Sequence, residues 1–124
     1  MKHILLTLEY SGLNYHGWQR QDGLPTVQEA LENCLGKLLK SKVSVITSSR
    51  TDARVHAKAH PAQFKTDKGL PLKAFVRGLN GLLPADISVK QAAEVKANFS
   101  CRRDAEGKTY IYRIFNARQR SPLE

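Results

Sequence analysis

The sequence predicts an α+β fold of the ferredoxin-like split βαβ type, βαββαβ with an extra strand. Two observations predict the fold, and a third suggests its use. Five apolar stretches alternate like strands and two repeat at the helical period, in the order β-α-β-β-α-β and a final β. The 124 residues are 41% hydrophobic, which supports one domain, residues 1–124, around a modest core. Twenty basic against eleven acidic residues leave a formal net charge of +9, a field that favours polyanions and nucleic acid first. The uncovered face of such a sheet is a usual RNA platform.

Residues 3–10, HILLTLEY, form the first strand. A loop follows, punctuated by Gly12 and Gly17. It mixes the rings of Tyr15 and Trp18 with the polar groups of Gln19, Arg20 and Gln21, a set that can stack on bases and bond phosphates. Tyr15 and Trp18 equally suit the edge of a core, whereas Arg20 has no obvious core role. Thr26 opens a helix as its cap, with Glu29 at capping-box spacing. Val27, Ala30, Leu31, Cys34, Leu35, Leu38 and Leu39 make its apolar face. Lys37, Lys40 and Lys42 place positive charge where the helix dipole favours it.

Lys42 to Ser48 reads as the second strand, and the Arg50-Thr51-Asp52 turn follows it. The third strand, about Ala59 to Lys65, sets Ala62 and Phe64 on one face and Gln63 and Lys65 on the other. Pro61 marks it as an edge or a bulged start. A second helix runs from Pro71 to Leu82, and Leu83-Pro84 stops it. Ile87 to Val95 is the fourth strand and Lys108 to Asn116 the last.

Several classes are excluded. No stretch approaches the ~20 apolar residues of a membrane span. The N-terminus lacks a signal-peptide cleavage region, which points to a cytoplasmic protein. Cys34 and Cys101 lie far apart without CxxC spacing and read as reduced thiols. His56 and His60 stand four apart, but in a strand-and-loop segment without the HExxH glutamate, so no metal is expected. Ser49, Asp52 and His56 hold the letters of a hydrolase triad without a nucleophile elbow. Neither GKS/GKT nor GxGxxG occurs, so Gly12 and Gly17 belong to no phosphate loop.

The chemistry concentrates at Asp52. In an extended chain Arg50 and Asp52 share a face, because side chains alternate with period two. A paired guanidinium favours the ionised carboxylate, which can act as nucleophile or general base. The same spacing also describes a surface ion pair of little worth.

Longer blocks carry a resemblance. Leu8-Glu9-Tyr10-Ser11-Gly12, Tyr15-His16-Gly17-Trp18-Gln19-Arg20-Gln21 and Thr26-Val27-Gln28-Glu29-Ala30-Leu31-Glu32 come first. Arg50-Thr51-Asp52-Ala53 and Val55-His56-Ala57 follow. Leu79-Asn80, Leu83-Pro84-Ala85-Asp86-Ile87, Arg102 and Lys108-Thr109-Tyr110-Ile111-Tyr112-Arg113 complete the order. Across nearly its whole length the chain resembles the N-terminal half of the TruA family of tRNA pseudouridine synthases, whose first, RRM-like subdomain carries the catalytic aspartate.

The resemblance implies a reaction that converts uridine to pseudouridine in the tRNA anticodon stem-loop, with no cofactor and no metal. The target nucleotide is flipped out of the stack. Asp52 matches the aspartate that attacks it, at uracil C6 or at ribose C1′. Arg50 matches the arginine that pairs with that aspartate, and Tyr110 the tyrosine that stacks on the base. Trp18, Gln19 and Arg20 match a loop beside the cleft, and Arg54, His56 and Arg102 are further candidates for RNA contact. Phosphate contacts of this kind imply strongly salt-dependent affinity.

Two departures qualify the match. Arg54 stands where the family usually has glycine, at a place suited to positive φ or close approach to RNA. Family members also continue past the equivalent of Ser121-Pro122-Leu123-Glu124 into a second half that supplies the other wall of the cleft. The closing Leu-Glu is the kind of pair a cloning site leaves, so the chain reads as a piece of a longer protein, with a natural short protein as the alternative. Weak or no turnover is then expected of the chain alone. Full-length members are homodimers in which tRNA spans both subunits. The alternative function, from another class, is a non-catalytic RNA-binding module of ferredoxin-like form.

Overall fold

The computed structural model describes residues 1–47, 55–97, 100 and 111–116, the last stretch as backbone alone. Its elements are β1 (Lys2–Tyr10), α1 (Val27–Leu39), β2 (Ala57–Thr66), α2 (Leu72–Leu82), β3 (Ile87–Val95) and β4 (Ile111–Asn116). The sheet order is β2-β1-β3-β4, with antiparallel neighbours throughout. Among the described residues, an isolated antiparallel bridge pairs Ile46 with Gln63 of β2. With that bridge in the place of a strand, the first part of the chain has the ferredoxin-like arrangement, and β4 is the extra strand.

Alternation along β1 decides which face meets the helices. Ile4, Leu6, Leu8 and Tyr10 are buried and join one core with Leu31 and Leu35 of α1, Phe75 and Leu79 of α2, and Val89 of β3. The opposite face is not a bare platform: Gln63, Ser88, Ala93 and Val95 are buried there, while Lys65 is exposed.

α1 starts as its sequence predicts. Thr26 is extended, and its hydroxyl accepts from the Glu29 N–H. The Val27 and Gln28 N–H groups donate to the carbonyls of Gly17 and Trp18, so the preceding loop completes the cap. Lys40 ends the helix in the left-handed region at φ 55°.

α2 is tied to the sheet by a buried amide. Asn80 Nδ2 donates to the Val89 carbonyl at 3.0 Å, and the Val89 N–H donates to Asn80 Oδ1 at 2.7 Å. The register of β1 and β3 shifts next to Val89, and the amide serves backbone groups beside that irregularity.

The second predicted strand, Lys42 to Ser48, is corrected: among the described residues it shrinks to the Ile46 bridge. Pro61 has no N–H to extend the ladder beyond Gln63, and its carbonyl accepts from the Thr47 hydroxyl at 2.7 Å. On the other side of Ile46, the Val45 N–H and carbonyl are bonded to α1 side chains. Pro61 lies within β2 and not at its start, but β2 is an edge strand of the four-stranded sheet, as the proline suggested.

Candidate functional site

Asp52, Arg50, Arg54, Arg102 and Tyr110 lie outside the described residues. What the structure describes is the frame on either side of Asp52, together with the loop of Trp18, Gln19 and Arg20.

The incoming flank is held twice. Val45 donates its N–H to Glu32 Oε2 at 2.9 Å, and its carbonyl accepts from Gln28 Nε2 at 3.4 Å. Gln28 and Glu32 are four apart on α1, so they share a face and bond each other at 3.2 Å. Thr47 is held next. Its hydroxyl proton goes to the Pro61 carbonyl, so toward His60 Nε2, 2.9 Å away, the oxygen accepts. His60 therefore carries its proton on Nε2, and Nδ1 is left to accept from the Tyr10 hydroxyl at 3.4 Å.

His60 is a core residue, 3% exposed. Burial pushes its pKa down to about 4, so the ring is neutral. Trp18 stacks on it with ring centroids 4.3 Å apart, and Tyr10 meets it edge-on.

The outgoing flank is held by the end of β1. The Gly12 N–H donates to His56 Nδ1 at 2.9 Å. Gly12 is required by close approach: a Cβ there would clash with the Val55 backbone carbonyl. His56 itself is exposed.

The loop divides into two functions. Trp18 is 2% exposed and closes the core over His60, so its ring is committed to packing. Tyr15 is buried too, with its hydroxyl donating to Asp86 Oδ1 at 2.8 Å; burial first and then that bond push the hydroxyl's pKa up. Gln19 and Arg20 are exposed. Arg20 is not a free cation, however. Its guanidinium donates to Glu32 Oε1 at 2.8 Å and lies 3.8 Å from Glu29 Oε2, while its N–H donates to Gln28 Oε1 at 2.8 Å. The loop and the incoming flank of Asp52 thus meet on the same two side chains of α1.

Reasoning from sequence missed His60, Thr47, Gln28, Glu32 and the packing need for Gly12. Two signals were there. His60 has the parity of Ala62 and Phe64, the buried face of β2, and Gln28 and Glu32 have the spacing of one helix face. The Nδ1 atoms of His56 and His60 accept from the Gly12 N–H and the Tyr10 hydroxyl, respectively. No described helix is long and apolar enough to cross a membrane.

Comparison with known proteins follows the whole chain. It is 50% identical over 123 residues to a protein of Myxococcus xanthus named tRNA pseudouridine synthase A, covering 99% of this chain and 46% of that one. A protein of the same name from Geobacter sp. strain M21 is 51% identical over 123 residues, covering 99% and 50%. One from Clostridium acetobutylicum is 46% identical over 124 residues, covering 100% and 51%. The chain spans about half the length of the curated relatives it matches. No family model matches it.

Proposed function

We propose that this chain, which belongs to the TruA family of tRNA pseudouridine synthases and spans about half the length of its curated relatives, carries the nucleophile of a uridine-to-pseudouridine isomerase. The observation that carries the reading is the extent of the similarity: identity is 46–51% over 99–100% of the chain, a span that includes the Arg50-Thr51-Asp52 segment. The substrate is tRNA, at uridines of the anticodon stem-loop, and the active assembly is a cytoplasmic homodimer. No cofactor or metal takes part in the reaction as we write it.

Asp52 attacks the flipped nucleotide at C6 of the base or C1′ of the ribose. The N1–C1′ bond breaks, the base turns, and C5 bonds C1′. The C5 proton then leaves, N1 gains a proton, and the carboxylate is released. Arg50 pairs with Asp52 and holds the vacated space in the stack. Tyr110 stacks on the target base. Gln19, Arg20, Arg54, His56 and Arg102 face RNA, and Trp18 supports its loop from beneath. The anchored flanks support this reading, because a nucleophile must be held within a fraction of an ångström of its target. Thr47 is fixed on His60 and Pro61, and His56 on Gly12.

The test uses tRNA tritiated at uridine C5, since C–C bond formation expels that label. Release that disappears in Asp52→Ala supports the assignment. Release that survives the substitution sinks Asp52 as nucleophile. The half-length match gives the non-catalytic module its one argument. tRNA binding without release, both from the chain alone and from the chain joined to a family second half, would establish that module instead.

A further inference from the structure

We propose that Glu32 is a positioning residue with two separate duties: one oxygen restrains Arg20 until an RNA phosphate replaces it, and the other seats Val45. This rests on the reading of the chain as an RNA-modifying protein and adds a built-in restraint on its RNA contact.

The carboxylate is well placed for both duties. Its side chain is only 9% exposed, against 46% for Arg20. Oε1 faces outward and accepts from the guanidinium at 2.8 Å. Oε2 faces the fold and accepts from the Val45 N–H at 2.9 Å and from Gln28 at 3.2 Å. The outer bond can therefore be exchanged while the inner ones stay.

The surroundings fit an anionic replacement. Beside the Arg20–Glu32 pair runs a groove of about 370 Å³, lined also by Asn33, Lys37, Lys42 and Ser44. Among the described residues no ion pair involves Lys37 or Lys42. A phosphodiester backbone lying in this groove would meet Lys37, Lys42 and the polar groups of Asn33 and Ser44, together with Arg20. A phosphate oxygen accepts from a guanidinium as a carboxylate does, so Arg20 changes partner without losing a charge-assisted bond. In the free chain Arg20 is held back from RNA by the carboxylate it must leave.

The first experiment measures affinity of the chain for an unmodified tRNA transcript at fixed salt. Glu32→Gln removes the outer charge and keeps an oxygen for Val45. Affinity is expected to rise roughly two- to fivefold, the scale of a partly exposed ion pair. The rise should vanish in the Arg20→Ala/Glu32→Gln double variant. Asp67→Asn, which makes the same change in net charge at an exposed loop position, should not reproduce it. The second experiment follows exchange of the Val45 amide proton by NMR. Glu32→Ala should speed it by about tenfold or more relative to Glu32→Gln, because only alanine leaves that N–H without an acceptor.

Unchanged or weaker tRNA binding in Glu32→Gln overturns the restraint, as does a gain that persists without Arg20 or appears equally in Asp67→Asn. Equal exchange in the two Glu32 variants overturns the seating of Val45. A wild-type chain that binds no tRNA overturns the functional reading and the restraint with it. Intact wild-type binding with no response to Glu32→Gln overturns this inference alone.

Discussion

Among the described residues, helix side chains bond strand-side backbone at Val89 and at Val45, and these two junctions differ in a useful way. Asn80 of α2 serves both backbone groups of Val89 with one neutral amide, and both residues are buried. Gln28 and Glu32 of α1 together serve Val45 and also hold Arg20 at the surface. The first junction has no solvent to compete and no charge to share. The second has water at its rim and a carboxylate with an oxygen to spare. A closed junction fixes a sheet; an open, charged one can fix a segment and still exchange a partner.

Asn80→Ala should separate the two most strongly. It leaves the Val89 N–H and carbonyl buried without their amide partner, at about 1–3 kcal/mol for each unsatisfied group. The urea midpoint should fall accordingly. A loss under about 1 kcal/mol would erase the distinction between the closed junction and the open one.

The far end of the Val45 segment adds a pH term. Thr47 is anchored on His60, whose pKa is lowered by burial to about 4 from 6.5. Between those values the unfolded chain holds a proton that the folded chain does not. Stability is therefore greatest above pH 6.5 and is lost as pH falls toward 4, by on the order of 2–3 kcal/mol. Denaturation midpoints across that window should slope upward with pH. The slope should flatten in His60→Gln, and a slope unchanged by that substitution would remove His60 from the anchor.

Gln28→Ala sharpens the contrast from the other side. Water can reach the rim of this junction, so the expected loss is about 1 kcal/mol or less, well below that of Asn80→Ala. Smallest is a gain. Lys40 ends α1 at φ 55°, and glycine there relieves a left-handed strain, so Lys40→Gly should stabilise by roughly 0.5–1 kcal/mol in thermal unfolding.

Regular elements were legible where one signal dominated. Thr26 with Glu29 and an apolar stripe marks α1, and the partly alternating apolar stretch from Ile4 to Leu8 marks β1. The strand over 42–48 was misread because alternation at Val43 and Val45 says nothing about hydrogen-bond partners. Those partners are Pro61, which cannot donate, and two side chains of α1. Trp18 was legible only as two alternatives, since an aromatic ring among polar residues suits RNA and core alike. Burial against His60 decides its place in this structure. Arg20 was legible as exposed but not as paired, because Glu29 and Glu32 reach it across the fold rather than along the chain.

The cap of α1 has a consequence for how a polyanion can be read. A helix start commonly offers bare amide hydrogens to a phosphate. In this fold those of Val27, Gln28 and Glu29 point at Gly17, Trp18 and Thr26. At this helix end, phosphate recognition is therefore left to cationic side chains, which one substitution can delete or reverse. Its specificity can change residue by residue while the backbone stays where it is.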